Sequence, residues 1–117
     1  MQTVSHHGRE TAYRRFDRGA DGPTILAVHG SGGTYRVWSA QSKLGTAYPL
    51  VALDLSGHGE SEDVAAEPGY ETLSAYVDDV VAVAETVYAR VLCGSSLGGA
   101  VAMLTALDHD LSLEGLI

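Results

Sequence analysis

The stretch Cys93-Gly94-Ser95-Ser96-Leu97-Gly98-Gly99 constrains the fold more than any other part of the sequence. Its pattern is Gly-x-Ser-x-Gly centred on Ser96, with Gly94 two residues before and Gly98 two after. Ser95 fails the same test, because Cys93 and Leu97 hold its flanking positions. A serine at the tip of a sharp strand-to-helix turn sits in a strained backbone conformation, and side chains two residues to either side would collide. Glycine removes the collision and lets the turn close. The flanks fit this setting: Arg90-Val91-Leu92-Cys93 reads as a short buried strand, and Leu97 to Leu107 as a helix buried on most sides. The segment therefore reads as a nucleophile elbow rather than a plain Gly-rich turn.

Two further Gly-rich segments follow apolar runs in the same way. Thr24-Ile25-Leu26-Ala27-Val28 ends at His29-Gly30-Ser31-Gly32-Gly33, and Leu50-Val51-Ala52-Leu53 ends at Asp54-Leu55-Ser56-Gly57-His58-Gly59. Continuous apolar runs of this length suit strands covered on both faces of a parallel sheet. Residues 3–7 and 11–17 read as two short strands joined around Gly8-Arg9, and 37–44, with Trp38, as a short helix. Leu73, Tyr76, Val77, Val80, Ala84, Val87 and Tyr88 recur at helical spacing, with Thr72 placed as N-cap. Strands alternating with helices predict a three-layer α/β/α fold, with a mostly parallel sheet and an antiparallel N-terminal hairpin. In such sheets the loops at the strands' carboxyl ends line the functional crevice, and all three Gly-rich segments fall there.

The length, 117 residues, suits one domain. No apolar run approaches the length of a membrane span, and the first residues lack a signal-peptide core. The lone Cys93 cannot form an internal disulfide, so a reducing, cytoplasmic setting is the default. Fifteen acidic residues against seven basic give a net charge of -8, which argues against nucleic acid and anionic membranes as partners. Adaptation to concentrated salt and an ordinary acidic surface are both compatible with that balance. No cluster of His, Cys, Asp or Glu shows metal-ligand spacing, and no Walker pattern is present, so neither a metal nor a cofactor is expected.

Together, His29–Gly33, Asp54–Ser61 and Gly94–Gly99, in this order and spacing, resemble the N-terminal portion of the α/β-hydrolase family, over nearly the whole chain. The resemblance implies that residues 1–117 are the N-terminal part of a single α/β-hydrolase domain, through the elbow and its helix, with later strands absent. It implies Ser96 as nucleophile and an oxyanion hole formed by the backbone N–H groups of Ser31 and Leu97. His29, Gly30, Gly32, Gly33, Asp54, His58, Gly94 and Gly98 would shape the site, with Asp54 and His58 as scaffold. The physical logic agrees: Leu97 begins a helix, so its amide lacks an intrahelical partner and lies at the positive end of the dipole.

In the family the catalytic acid and base histidine follow later strands, and no residue of this chain takes those roles. His109 lies a helix length from Ser96, roughly 18 Å at 1.5 Å per residue; His6 and His7 belong to the opening hairpin; Cys93 reads as a buried strand residue. The implied activity is a serine-nucleophile hydrolase of small ester-like or acyl substrates, of the carboxylic-ester or C–C bond type. An inert fragment or interaction remnant is the alternative, as is one half of a split hydrolase. The strand at 90–93 is expected to form an exposed sheet edge that invites self-association.

Overall fold

The computed structural model describes residues 1–16, 21–46, 48–63 and 73–117. Six strands form one sheet in the order β1-β2-β4-β3-β5-β6. β1 (Gln2–His6) and β2 (Arg9–Arg15) are the antiparallel hairpin, and β2 also runs antiparallel to β4 (Leu50–Leu53). From there β4, β3 (Thr24–Val28), β5 (Ala89–Gly94) and β6 (Gly115–Leu116) are all parallel. The chain leaves β3 for β4 on one side and then crosses back to β5 on the other. That reversal creates a crevice beyond the carboxyl ends of β3 and β5.

Alternation along the central strands divides the core between two faces. Leu26, Val28, Val51, Leu53 and Leu92 join α1 (Ser74–Val87) and α2 (Leu97–Asp108) in the main core. Ala27, Leu50 and Ala52 point the opposite way, packed by Ile25, Phe16, Tyr35 and Trp38. Tyr35 and Trp38 belong to a 3-10 helix, Tyr35–Thr46, which replaces the shorter helix predicted at 37–44. The expected three layers are therefore present, with a mostly parallel sheet between them.

The structure changes three details of the sequence reading. β5 is not a bare edge: residues 114–117 lie along it, with Glu114 N–H donating to Arg90 O, Ile117 N–H to Leu92 O and Gly94 N–H to Ile117 O. The outer strand is β6. Second, α2 buries Gly98, Val101, Ala102 and Thr105, whereas Met103 and Leu107 stand 56% and 78% exposed. Its composition is apolar all round, but the described elements cover only one side. Third, the predicted N-cap Thr72 lies outside the described residues; the cap position of α1 is Leu73, left-handed at φ 60° with no side-chain cap, and Tyr88, at the end of the helical spacing, is the exposed C-cap.

Candidate active site

Register brings the three Gly-rich loops to one level. Val28 pairs with Leu53 on one side and with Gly94 on the other, so His29, Asp54 and Ser95 each open a loop side by side. The Ser95 amide donates to Val28 O at 3.1 Å, tying the elbow to the end of β3. Ser96 then adopts φ 56°, ψ −117°, a conformation that L-residues rarely hold, and α2 begins at the next residue. Ser96 is exposed.

The two glycines of the motif are sterically required. A Cβ on Gly94 would overlap Gly98 O, and a Cβ on Gly98 would overlap Val28 O and crowd His29 O. Without side chains at both positions β5, α2 and the end of β3 meet backbone to backbone, and the serine is left at the apex. The first turn of α2 closes through Gly98 N–H to Ser95 O and Gly99 N–H to Ser96 O, both at 2.9 Å. The Leu97 amide has no acceptor among the described residues. It is one of the orphan donors of a helix N-terminus.

Gly30 lies against this apex. A Cβ built on it would stand 3.3 Å from Ser95 O, 3.4 Å from Ser96 Cβ and 4.0 Å from Ser96 Oγ. Residues 30–33 form a turn, with Gly33 N–H donating to Gly30 O at 3.0 Å and Gly32 at φ +76°. A positive φ at that third position is what a type II turn needs. The Ser31 amide has no acceptor among the described residues, and Ser31 is exposed. Two unpaired donors, from Ser31 and Leu97, thus belong to the two segments that meet at Ser96.

His29 and His58 are both committed to backbone. His29 Nδ1–H donates to Gly30 O at 2.7 Å and its Nε2 accepts the Leu55 amide at 3.0 Å. His58 Nδ1–H donates to Ser56 O at 3.0 Å and its Nε2 accepts the Gly32 amide at 3.1 Å. Asp54, fully buried, accepts the Tyr35 amide at 2.7 Å and the Glu60 amide at 3.0 Å. Gly59, at φ +51°, leaves room for that carboxylate where any Cβ would strike it. Burial raises the Cys93 thiol above its ordinary value, which disfavours the thiolate and any nucleophilic use.

Burial also lowers the pKa of His29, the Gly30 hydrogen bond opposing in part. A histidine whose folded value lies below its ordinary 6.5 stabilises the fold above pH 6.5. That contribution is lost as the pH falls from 6.5 through the folded value. The urea midpoint is therefore expected to drop between pH 7 and pH 5, and His29→Gln, which does not titrate, should shrink the drop. An equal drop in the variant would contradict the assignment.

Sequence reasoning missed one cluster. Asp79 on α1 is fully buried and accepts the Ser56 amide and hydroxyl at 2.7 Å, the Thr11 hydroxyl at 3.1 Å and Arg9 Nη2 at 3.2 Å. Arg9 Nη2 also reaches Ala75 O at 3.1 Å. A signal was available: Asp79 stands four residues from both Ala75 and Val83, inside the buried stripe of α1.

This fold and site define an α/β protein with a sharp strand-to-helix turn at Ser96, and comparison places it further. The profile of the alpha/beta hydrolase family matches residues 25–117, and the chain belongs to that family. It is 36% identical over 95 residues to 2-succinyl-6-hydroxy-2,4-cyclohexadiene-1-carboxylate synthase of Enterobacter sp. (strain 638), covering 81% of this chain and 36% of that protein. It is 36% identical to protein phosphatase methylesterase 1 of Bos taurus over 122 residues, covering 93% of this chain and 30% of that one. Among solved structures, a putative aryl esterase from Burkholderia cenocepacia superposes with a TM-score of 0.85 at 33% identity, over 98% of this chain and 44% of that one. The chain thus spans about a third of the length of the curated relatives it matches.

Among the described residues no group of three or more His, Cys, Asp or Glu could hold a metal ion. No described helix is long and apolar enough to cross a membrane.

Proposed function

We propose that the chain carries the nucleophile and oxyanion-binding half of a serine hydrolase acting on small ester-like acyl substrates. The observation that carries this reading is the exposed Ser96 at φ 56°, ψ −117°, one residue before α2 and against Gly30. In the proposed reaction Ser96 Oγ attacks the substrate carbonyl carbon while a general base takes its proton. The carbonyl oxygen becomes an oxyanion held by the Ser31 and Leu97 amides. The tetrahedral intermediate expels the alcohol with a returned proton, and water releases the acid by the reverse sequence.

The base is to be sought outside these residues. His29 and His58 spend both ring nitrogens on backbone partners. His6 and His7 sit in the hairpin on Thr11, Asp78 and Asp79, and His109 caps the far end of α2. Relatives with esterase and methylesterase names support ester-like substrates as the class.

Hydrolysis of a short p-nitrophenyl ester tests the reading. Ser96→Ala should abolish the enzymatic rate, a loss of about a thousandfold or more where the base is supplied. Equal rates for the parent and the variant would mean that the chain turns nothing over.

A further inference from the structure

The two crevice loops are laced together reciprocally by their own histidines. Each ring gives its Nδ1–H to a carbonyl of its own loop, His29 to Gly30 and His58 to Ser56. Each accepts, at Nε2, an amide of the other loop: Leu55 for His29, Gly32 for His58. A backbone amide only donates and a carbonyl only accepts, so these four partners define both rings as neutral Nδ1–H tautomers. The rings lie 4.9 Å apart, and His58 also meets the Tyr76 ring edge-on at 6.1 Å. The 54–59 side is anchored from beyond the crevice, because the Ser56 amide and hydroxyl are held by the buried Asp79.

We infer that His58 is a positioning residue for the oxyanion hole, acting through the Gly32 amide. The catalytic consequence rests on the acyl-transfer reading above. The peptide joining Ser31 to Gly32 is the middle unit of the 30–33 turn, and a middle peptide can reverse while the turn's ends stay fixed. Gly32, having no Cβ, offers little resistance to that reversal. The one side chain holding this peptide's N–H among the described residues is His58. Reversal would invert a peptide dipole immediately beside the Ser31 amide, in a site whose work depends on donors fixed before the reaction. His58 thus selects the turn geometry in which Ser31 can donate, although it touches neither substrate nor Ser96.

Two variants separate the acceptor from the ring. His58→Phe keeps a flat ring against His29 and Tyr76 but removes the Gly32 acceptor. His58→Gln returns an acceptor near the position of Nε2. Amide exchange followed by NMR should show the Gly32 N–H exchanging about tenfold faster in His58→Phe, with Leu26 in β3 unchanged. On a p-nitrophenyl ester, where the base is supplied, kcat should fall by a similar factor with KM nearly constant, and His58→Gln should recover most of both losses. Unchanged Gly32 exchange in His58→Phe would overturn the inference, as would a His58→Gln variant as impaired as His58→Phe. Failure of the acyl-transfer reading looks different: parent and Ser96→Ala turn over the ester alike, and the Gly32 exchange contrast alone then decides the role of His58.

Discussion

Gly98→Ala is expected to cost about 4 kcal/mol or more of folding stability, a large part of what a domain of this size possesses. The added Cβ would overlap Val28 O and lie 2.5 Å from His29 O. Both are backbone atoms at the end of β3, so neither can swing aside as a flexible side chain would. Relief requires α2 to lift from the sheet, which opens the core at Val101 and Ala102 and pulls the elbow away from Gly30. Gly99 provides the control one residue along. Its Cβ would meet Gly94 O at 3.5 Å, an ordinary contact, and Gly99 lies within α2. Gly99→Ala should be neutral or stabilising by up to about 1 kcal/mol, as alanine is the better helix former. Thermal unfolding of the pair checks this, with a fall of roughly 10 °C or more for Gly98→Ala only. Equal melting temperatures would mean that α2 does not seat on β3 as described.

Asp79→Ala should cost about 3–5 kcal/mol, because it breaks a buried ion pair from one side. The Asp79 and Arg9 side chains are 0% and 10% exposed, so the arginine would keep its burial and lose its carboxylate. The Ser56 amide and hydroxyl and the Thr11 hydroxyl would lose an acceptor at the same time. Each unsatisfied buried donor adds to the loss. The expected result is a markedly lowered urea midpoint. Pairing the change with Arg9→Met, which removes the orphaned charge, should recover part of the stability. A double variant no better than Asp79→Ala would place the cost in the Ser56 and Thr11 bonds instead.

The parts of this fold that burial dictates were legible from the residues. β3, β4 and β5 are apolar on consecutive positions because both faces are covered, and such runs declare themselves. The sharp turn at Ser96 was legible because Gly94 and Gly98 answer a steric demand that only glycine can meet. Relations between distant segments were harder to read. Asp79 drew no notice in the sequence, because Arg9, Thr11 and Ser56 converge on it only in the folded chain. Likewise His29 and His58 could be placed at the right sheet edge, yet their tautomers depend on which amides each loop offers the other. Composition misled at α2, where the apolar run through Met103 and Leu107 suggested burial on most sides. An apolar residue states that a partner is favourable, not which element supplies it. The helix read at 37–44 is present, but its 3-10 winding and its extent over Tyr35–Thr46 were not read from the residues.

The central claim is spatial: one serine hydroxyl and two unpaired amides from separate loops share one spot. Titrating the nitrogen-15-labelled chain with phenylboronic acid tests it directly, since a boronate bonded to Ser96 Oγ places an oxygen where an oxyanion would sit. The account predicts that the Ser31 and Leu97 amide resonances shift together, saturate at one concentration and stay still in Ser96→Ala. Shifts of one amide without the other, or an identical response in Ser96→Ala, would contradict it.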